Sequence, residues 1–421
     1  MTQTGLECLF LEIMYVFSIY FISLSVFLSV ILLLVFLLLL VEASVVQKGD
    51  CSVIINDDSE KSIQTPSGMT LLSALSDNNI YLPSACGGKG SCALCKCRID
   101  EGGRSILPTE LPHLSRKERL ENVRLSCQVK IKEDMKIRIP PEIFNIRKYH
   151  ATVVSNENVA TFIKELVLKL DPGEKIDFEA GAYIQIDIPE YDLLYMSIHV
   201  EDIYRSAWDQ FNLWGLHAQA EEPVFRAYSM ANTPEEELLR FTIRIATPPP
   251  ISDVPPGVAS SFIFGLESGE RVTFSGPYGD FFVKDTEKEI CFVGGGAGMA
   301  PMRSHIFNQL LIKKTRRKIT FWYGARSKQE IIYDDEFLEL VKNFDNFSYH
   351  VALSEPQPED HWEGFTGFIH QVAFDNYLST HEDPTEIEYY LCGPPMMIQA
   401  VKIMLDSLGV EPEMIAFDDF G

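Results

Sequence analysis

Four cysteines carry the clearest chemistry in this chain. Cys86, Cys92 and Cys95 fall within a ten-residue stretch, Cys86-Gly-Gly-Lys-Gly-Ser-Cys92-Ala-Leu-Cys95, and Cys127 follows in Leu125-Ser126-Cys127. Three close thiolates and a distant fourth are the ligand set of a [2Fe–2S] cluster. A loop around such a cluster must turn sharply and aim backbone N–H groups at sulfur. Gly87, Gly88 and Gly90 permit this, because glycine enters positive φ at little steric cost. Two other readings compete. A structural zinc site pairs its ligands as two Cys-x₂₋₄-Cys knuckles, whereas Cys127 has no neighbouring Cys or His. A disulfide framework suits small secreted domains, not 421 residues with nine cysteines, an odd number. Cys97, two residues past Cys95, reads as a strand residue in Lys96-Cys97-Arg98-Ile99 that points away from the loop.

A second group is Arg226-Ala227-Tyr228-Ser229. Strand alternation places Arg226 and Tyr228 on one face and Ser229 on the other. Arginine grips a pyrophosphate through charge-assisted bidentate bonds, tyrosine packs on a flat ring, and serine offers a hydroxyl. An ordinary barrel strand is the alternative. Gly257-Val258-Ala259-Ser260-Ser261 adds weight to a flavin, as a glycine turn opening a short helix with free N–H groups.

The third group, Gly294-Gly-Gly296-Ala297-Gly298-Met-Ala-Pro301, directly follows a strand-like run and opens a helix. It suits a dinucleotide pyrophosphate, although Pro301 stands where G-x-G-x-x-G would have its last glycine. Pro301 suits the first turn of a helix. The fourth, Cys392-Gly393-Pro394-Pro395, also lies at the carboxyl end of a strand, where open α/β sheets place ligands; a buried structural cysteine is the equal alternative for Cys392 on position alone. Cys291 reads as core packing. The chain ends Phe417-Asp418-Asp419-Phe420-Gly421.

The elements that must position these groups fall into blocks. Ile13 to Val41 contains no charged residue, and a helix of that length reaches about 44 Å, longer than a ~30 Å hydrocarbon core. Residues 1–12 lack Lys and Arg, so a retained anchor is favoured over a signal peptide. Lys48 and Lys61 follow it, which places the C-terminal side in the cytoplasm. Strands are expected at 51–55, 95–100 and 127–139, with a short helix at 69–75. From Tyr149 to about Val283 the pattern is β-rich and barrel-like, interrupted at about 190–222 by an insertion without strand signals. From Glu289 strands and helices alternate, which predicts a doubly wound parallel sheet. The boundaries read as 1–44 (anchor), 45–140 (thiol-loop domain), 148–285 (barrel) and 286–421 (nucleotide domain). A net charge of −24 excludes nucleic acid as a partner.

Taken in order, Arg226–Ser229, Gly294–Pro301 and Cys392–Pro395 resemble the ferredoxin–NADP⁺ reductase superfamily. The cysteine loop resembles that of β-grasp [2Fe–2S] ferredoxins, although five residues separate Cys86 from Cys92 where plant-type ferredoxins have four. The whole arrangement, with its anchor, insertion and Phe-Asp-Asp-Phe-Gly ending, resembles the family of F subunits of the Na⁺-translocating NADH:quinone oxidoreductases.

That resemblance implies a multidomain oxidoreductase with an N-terminal transmembrane helix, a β-grasp ferredoxin domain, an FAD-binding antiparallel barrel and an NADH-binding α/β domain. It implies hydride transfer from NADH to FAD, then single electrons to the cluster and on to other membrane subunits and, indirectly, quinone. By the same resemblance Cys86, Cys92, Cys95 and Cys127 hold the cluster. Arg226, Tyr228, Ser229 and Asn232 contact FAD, with Gly257, Val258, Ala259, Ser260 and Ser261 at its pyrophosphate. Gly296, Ala297, Gly298, Gly393 and Pro394 receive NADH. Cys392, Ser229, Asp418 and Phe420 act at the hydride path. Arg326 and Ser327, after the second strand of the nucleotide domain, leave NADPH open as the donor. The implied place is a bacterial inner membrane, single-pass, with soluble domains facing the cytoplasm. The rival readings are the reductase component of a multicomponent oxygenase and a membrane-anchored redox carrier without turnover.

Overall fold

The computed structural model describes residues 14, 18, 20–37, 49–249 and 254–419. Helix α1, Tyr20–Leu37, has a mean hydropathy of 2.7 and is wholly exposed. At 1.5 Å per residue its 18 residues extend about 27 Å, close to the thickness of a bilayer's hydrocarbon core. The ends of the expected anchor lie outside the described residues.

Strands β1 (Asp50–Ile55) and β2 (Asp58–Pro66), helix α2 (Leu71–Asp77), β3 (Lys96–Glu101), α3 (Arg116–Leu120), β4 (Val123–Leu125) and β5 (Met135–Arg138) form the first unit. Its sheet runs β2-β1-β5-β3-β4, with β1 and β5 parallel. Thr70 caps α2 by accepting from Ser73 N–H, and Leu71, Leu72, Ala74 and Leu75 pack beneath the sheet. The strand expected over 127–139 is corrected: the ladders run through 123–125 and 135–138, with one isolated bridge, Thr70 to Lys130, in between. Between them Gln128 N–H turns back to Leu125 C=O, and the carbonyls of Val129 and Ile131 accept from Leu71 and Gly68. The chain leaves the ladder there because Cys127 must swing toward Cys95. The buried pair Arg124–Glu110, at 2.6 Å, fixes the same corner. Glu110 also accepts from Leu107 and Leu125 N–H.

Strands β6 (Arg147–Ala160), β7 (Ile163–Leu170), β8 (Tyr183–Ile188), β9 (Tyr191–Leu194), helix α4 (Asp202–Gln210), β10 (His217–Ala220), β11 (Val224–Ser229), β12 (Leu239–Arg244), α5 (Val258–Phe264) and β13 (Arg271–Tyr278) follow. Six of the strands make an antiparallel sheet ordered β11-β8-β13-β6-β7-β12. Its edges meet where Ala231 N–H donates to Arg240 C=O, so the sheet curls into a barrel. The insertion differs from expectation. It contains a hairpin, β9 with β10, and α4, whose Trp208 is fully buried on the barrel core. The short runs His-Ala-Gln-Ala and Tyr-Asp-Leu-Leu carry too few β-branched residues to announce strands.

The last unit comprises β14 (Ile290–Gly295), α6 (Met299–Phe307), β15 (Ile319–Ala325), α7 (Asp334–Asn343), β16 (Phe347–Leu353), β17 (Phe365–Thr366), α8 (Ile369–Asn376), β18 (Glu388–Gly393), α9 (Pro395–Ser407) and β19 (Ile415–Asp419). The sheet is parallel throughout, ordered β17-β16-β15-β14-β18-β19. Its central strands read as continuous apolar runs because helices cover both faces. Cys291 is buried in one of the two resulting cores. Arg303 on α6 ties this unit to the barrel. Its buried guanidinium reaches Ala231 C=O and Glu236 on the barrel side and Glu336 on α7.

Candidate redox site

The four loop thiols gather as two touching pairs. Cys86 and Cys92 lie 3.3 Å apart, Sγ to Sγ, and Cys95 bonds Cys127. The contact with Cys92, helped by the N–H groups of Cys92, Ser91 and Gly90, pulls the Cys86 thiol down to about 3 against burial. The same contact and burial drive Cys92 up. Cys95 falls to about 7 through Cys127 and its N–H, while Cys127 rises through the same contact. Gly87, Gly88 and Gly90 all adopt positive φ, and Gly88 N–H donates to Ser84 Oγ. Soft donors in a loop lined with N–H groups fit a [2Fe–2S] cluster. Cys97 is different: it is buried in the core on β3, and burial pushes its thiol up to about 12.

This loop rests on the barrel. Phe225, the second residue of β11, packs against the core of the thiol-loop unit. Arg226 Nη1 donates to Phe225 C=O at 2.7 Å, directly under Gly87. Val224 and Tyr228 pack toward the barrel core and its insertion. Ser229, on the opposite face, donates from Oγ to Asp418 Oδ2 at 3.1 Å. The carboxamide of Asn232 donates to Thr233 C=O and accepts from Arg240 N–H, bracing the barrel edge.

Gly257 caps α5. The Ser260 and Ser261 hydroxyls both donate to Gly257 C=O, and Ser260 Oγ also accepts from Ala246 N–H. Ser261 meets Tyr195 Oη at 2.7 Å, and Tyr191 Oη donates to Val258 C=O at 2.5 Å. The insertion therefore braces this helix. What remains to meet a ligand is the first-turn N–H set of Val258, Ala259 and Ser260.

The two turns of the nucleotide unit lie side by side, because β14 pairs with β18 and Gly294 stands opposite Cys392. A Cβ on Gly298 would lie 2.3 Å from Cys392 C=O, so only glycine permits this approach. Gly296 adopts φ +55°, and Thr242 on β12 donates to Ala297 C=O at 2.9 Å. Gly393 takes φ +153° between Gly295 and Met397, and Pro394 leads into α9. Parallel pairing of β18 with β19 sets Cys392 against Asp418. Ser229, Asp418, Cys392 and Gly298 thus converge from segments far apart in sequence. Phe420 lies outside the described residues, and of Asp419 only the backbone is described.

Arg326 follows β15 and is paired with Glu355, Nη2 to Oε2 at 2.7 Å, while Glu355 N–H donates to Arg326 C=O. The sequence points to Arg326 but leaves Glu355 unmarked. The signal for it is an acidic residue two positions past the next strand.

Residues 54–132 match a 2Fe-2S iron-sulfur cluster binding domain, and residues 292–402 an oxidoreductase NAD-binding domain. The chain is 52% identical over 402 residues to a Pseudomonas aeruginosa protein named as the F subunit of the Na(+)-translocating NADH-quinone reductase, covering 95% of this chain and 98% of that one. A protein of the same name in Mannheimia succiniciproducens is 51% identical, covering 94% and 97%. Among solved structures, a cytochrome P450 reductase from Amycolatopsis shares the fold, with TM-score 0.62, 24% identity and coverage of 88% and 98%. The ferredoxin reductase of carbazole 1,9a-dioxygenase gives TM-score 0.58 at 26% identity, covering 89% and 99%.

Proposed function

This chain belongs to the family of F subunits of the Na(+)-translocating NADH-quinone reductases, and from that premise we propose how its residues carry the reaction. It is an oxidoreductase that brings electrons from NADH into a multi-subunit complex. The bound FAD supplies acceptance of hydride, and the [2Fe–2S] cluster supplies one-electron transfer. The observation that carries the residue assignments is the convergence of Ser229, Asp418 and Cys392 at one end of two units, with the thiol loop docked on the same barrel.

In this reading Cys86, Cys92, Cys95 and Cys127 hold the cluster. Arg226 and the first turn of α5 bind the FAD pyrophosphate, and Tyr228 packs on its ring. Gly296, Ala297 and Gly298 receive the NADH pyrophosphate at the start of α6, with Gly393 and Pro394 closing the other side. Cys392 orients the nicotinamide, and its burial keeps water from the hydride path. Ser229 holds a proton on Oγ, now donated to Asp418, and redirects it toward the flavin when the tail moves. Phe420 covers the ring until NADH arrives. We assign units 45–140, 148–285 and 286–421 to cluster, FAD and NADH in turn.

Helix α1 anchors the protein in the bacterial inner membrane, with the other units in the cytoplasm and electrons leaving to membrane subunits. Among the described residues α1 carries no charged side chain; it gives ions no path, so sodium movement belongs to other subunits. The test is anaerobic addition of NADH to the purified protein, followed by visible absorption and EPR. Flavin bleaching followed by a reduced-cluster signal is expected. Cys392→Ala should slow bleaching and retain FAD; an unchanged rate would remove Cys392 from the hydride path.

A further inference from the structure

The contact between thiol loop and barrel centres on a side chain with no role so far. Gln185 lies in the middle of β8 and is 2% exposed. Its Oε1 accepts from Ser84 N–H at 2.8 Å, and its Nε2 donates to Leu82 C=O at 3.3 Å. Both partners are backbone groups of the segment leading into Cys86, and Leu82 and Ser84 are themselves buried. The carboxamide thus bonds across the boundary with donor and acceptor at once.

Its surroundings make the contact close. Gln185 stands opposite Ala227 in the β8–β11 ladder, between Arg226 and Tyr228 of the flavin strand. A Cβ on Gly87 would lie 1.8 Å from Arg226 Nη1 and 2.5 Å from Phe225 C=O, so loop and strand leave no room for a side chain. At the rim, Lys148 pairs with Asp187 at 2.6 Å and lies over the Tyr81 ring at 5.6 Å. Apolar contact alone lets two surfaces slide. A two-point amide fork fixes both position and rotation, because a shift would leave a buried donor or acceptor unmatched.

Building on the function proposed above, we propose that Gln185 is the positioning residue for electron transfer between the flavin site and the thiol-held cluster. Its fork clamps Leu82–Ser84, and hence Cys86, against β11, so the two redox sites face each other in a fixed geometry. The two electrons that NADH delivers as hydride leave the barrel singly. A cluster held by the four thiols would take one electron and hand it to a membrane partner before taking the second, and the single proton of the hydride would pass to solvent.

The test uses the full chain with both cofactors loaded. Gln185→Leu removes both bonds, together with the carboxamide's contact to Tyr278 within the barrel, at similar volume. Flavin bleaching by NADH and the FAD and iron contents should stay at wild-type levels, while cluster reduction after bleaching slows about tenfold or more. Deuterium exchange in the peptide containing Ser84 should rise by a similar factor, about tenfold, with or without NADH. Wild-type cluster reduction and wild-type protection of Ser84 in this variant would overturn the proposal. Should Gln185→Leu fail to fold, Gln185→Glu retains the acceptor and sets an oxygen against Leu82 C=O; unchanged cluster reduction and Ser84 exchange there would overturn it equally. A wild-type flavin that NADH does not bleach would sink the functional reading alone, since Ser84 exchange tests the clamp independently.

Discussion

Residue chemistry here depends on partners that come from other segments. Cys92 is half of a thiol pair with Cys86, and no nearby cysteine replaces it, because Cys97 is locked in the core with its thiol raised by burial. Cys92→Ala should therefore abolish the cluster's iron and EPR signal while NADH still bleaches the flavin. Retention of the cluster would mean that the loop can recruit Cys97. Arg326 shows the same dependence. A free guanidinium at this strand end would favour the 2′-phosphate of NADPH, yet Glu355 occupies it and adds a negative charge that repels phosphate. Glu355→Gln should raise kcat/KM for NADPH by about threefold to fivefold and change the NADH value little, since exposed ion pairs contribute only about 1 kcal/mol or less. Steady-state kinetics with both donors decides it.

Among the elements, the insertion between β8 and β11 changes most in meaning. Its sequence reads as a break in the barrel pattern; its structure is a brace. Trp208, fully buried, donates from Nε1 to Thr161 C=O at 3.0 Å, and Tyr191 and Tyr195 hold α5 from the same unit. Trp208→Ala should destabilise the barrel by about 3–5 kcal/mol. It should also loosen α5, so that FAD is lost on dilution before the fold melts. Thermal denaturation combined with flavin fluorescence separates the two events. Strand β4 and the turn at Cys127 make a parallel point. Alternation in Val-Lys-Ile-Lys suggests a longer strand, but bonding to the segment around α2 replaces the ladder there, and this places the fourth thiol.

For the whole molecule, three units share two seams. Arg303 joins barrel and nucleotide unit, and the Gln185 fork joins barrel and thiol loop. Helix α1 makes no contribution to either, being exposed throughout. Removing residues 1–44 should leave NADH-dependent bleaching and cluster reduction intact and shift the protein from the membrane pellet to the supernatant. Loss of both redox steps in the shortened protein would show that the helix also supports the fold.

The sequence by itself determined what could be written locally. Cysteine spacing, glycine turns after apolar runs and a long uncharged stretch each follow from short-range chemistry, and so the order of units and the kinds of cofactor were legible. Tertiary structure decided which distant groups meet. The resemblance put Ser229 and Asp418 on one hydride path, but nothing in the local pattern foretells their direct bond, which depends on a parallel pairing of β18 with β19 that returns the tail to the barrel. Nothing near Gln185 marks it either, since a glutamine on a strand reads as solvent-facing until another unit buries it. Asn232 shows the converse: it stands beside the flavin strand in sequence, yet its amide serves the backbone of the barrel edge. Side-chain roles of this kind are set by long-range contacts, which a linear pattern does not encode.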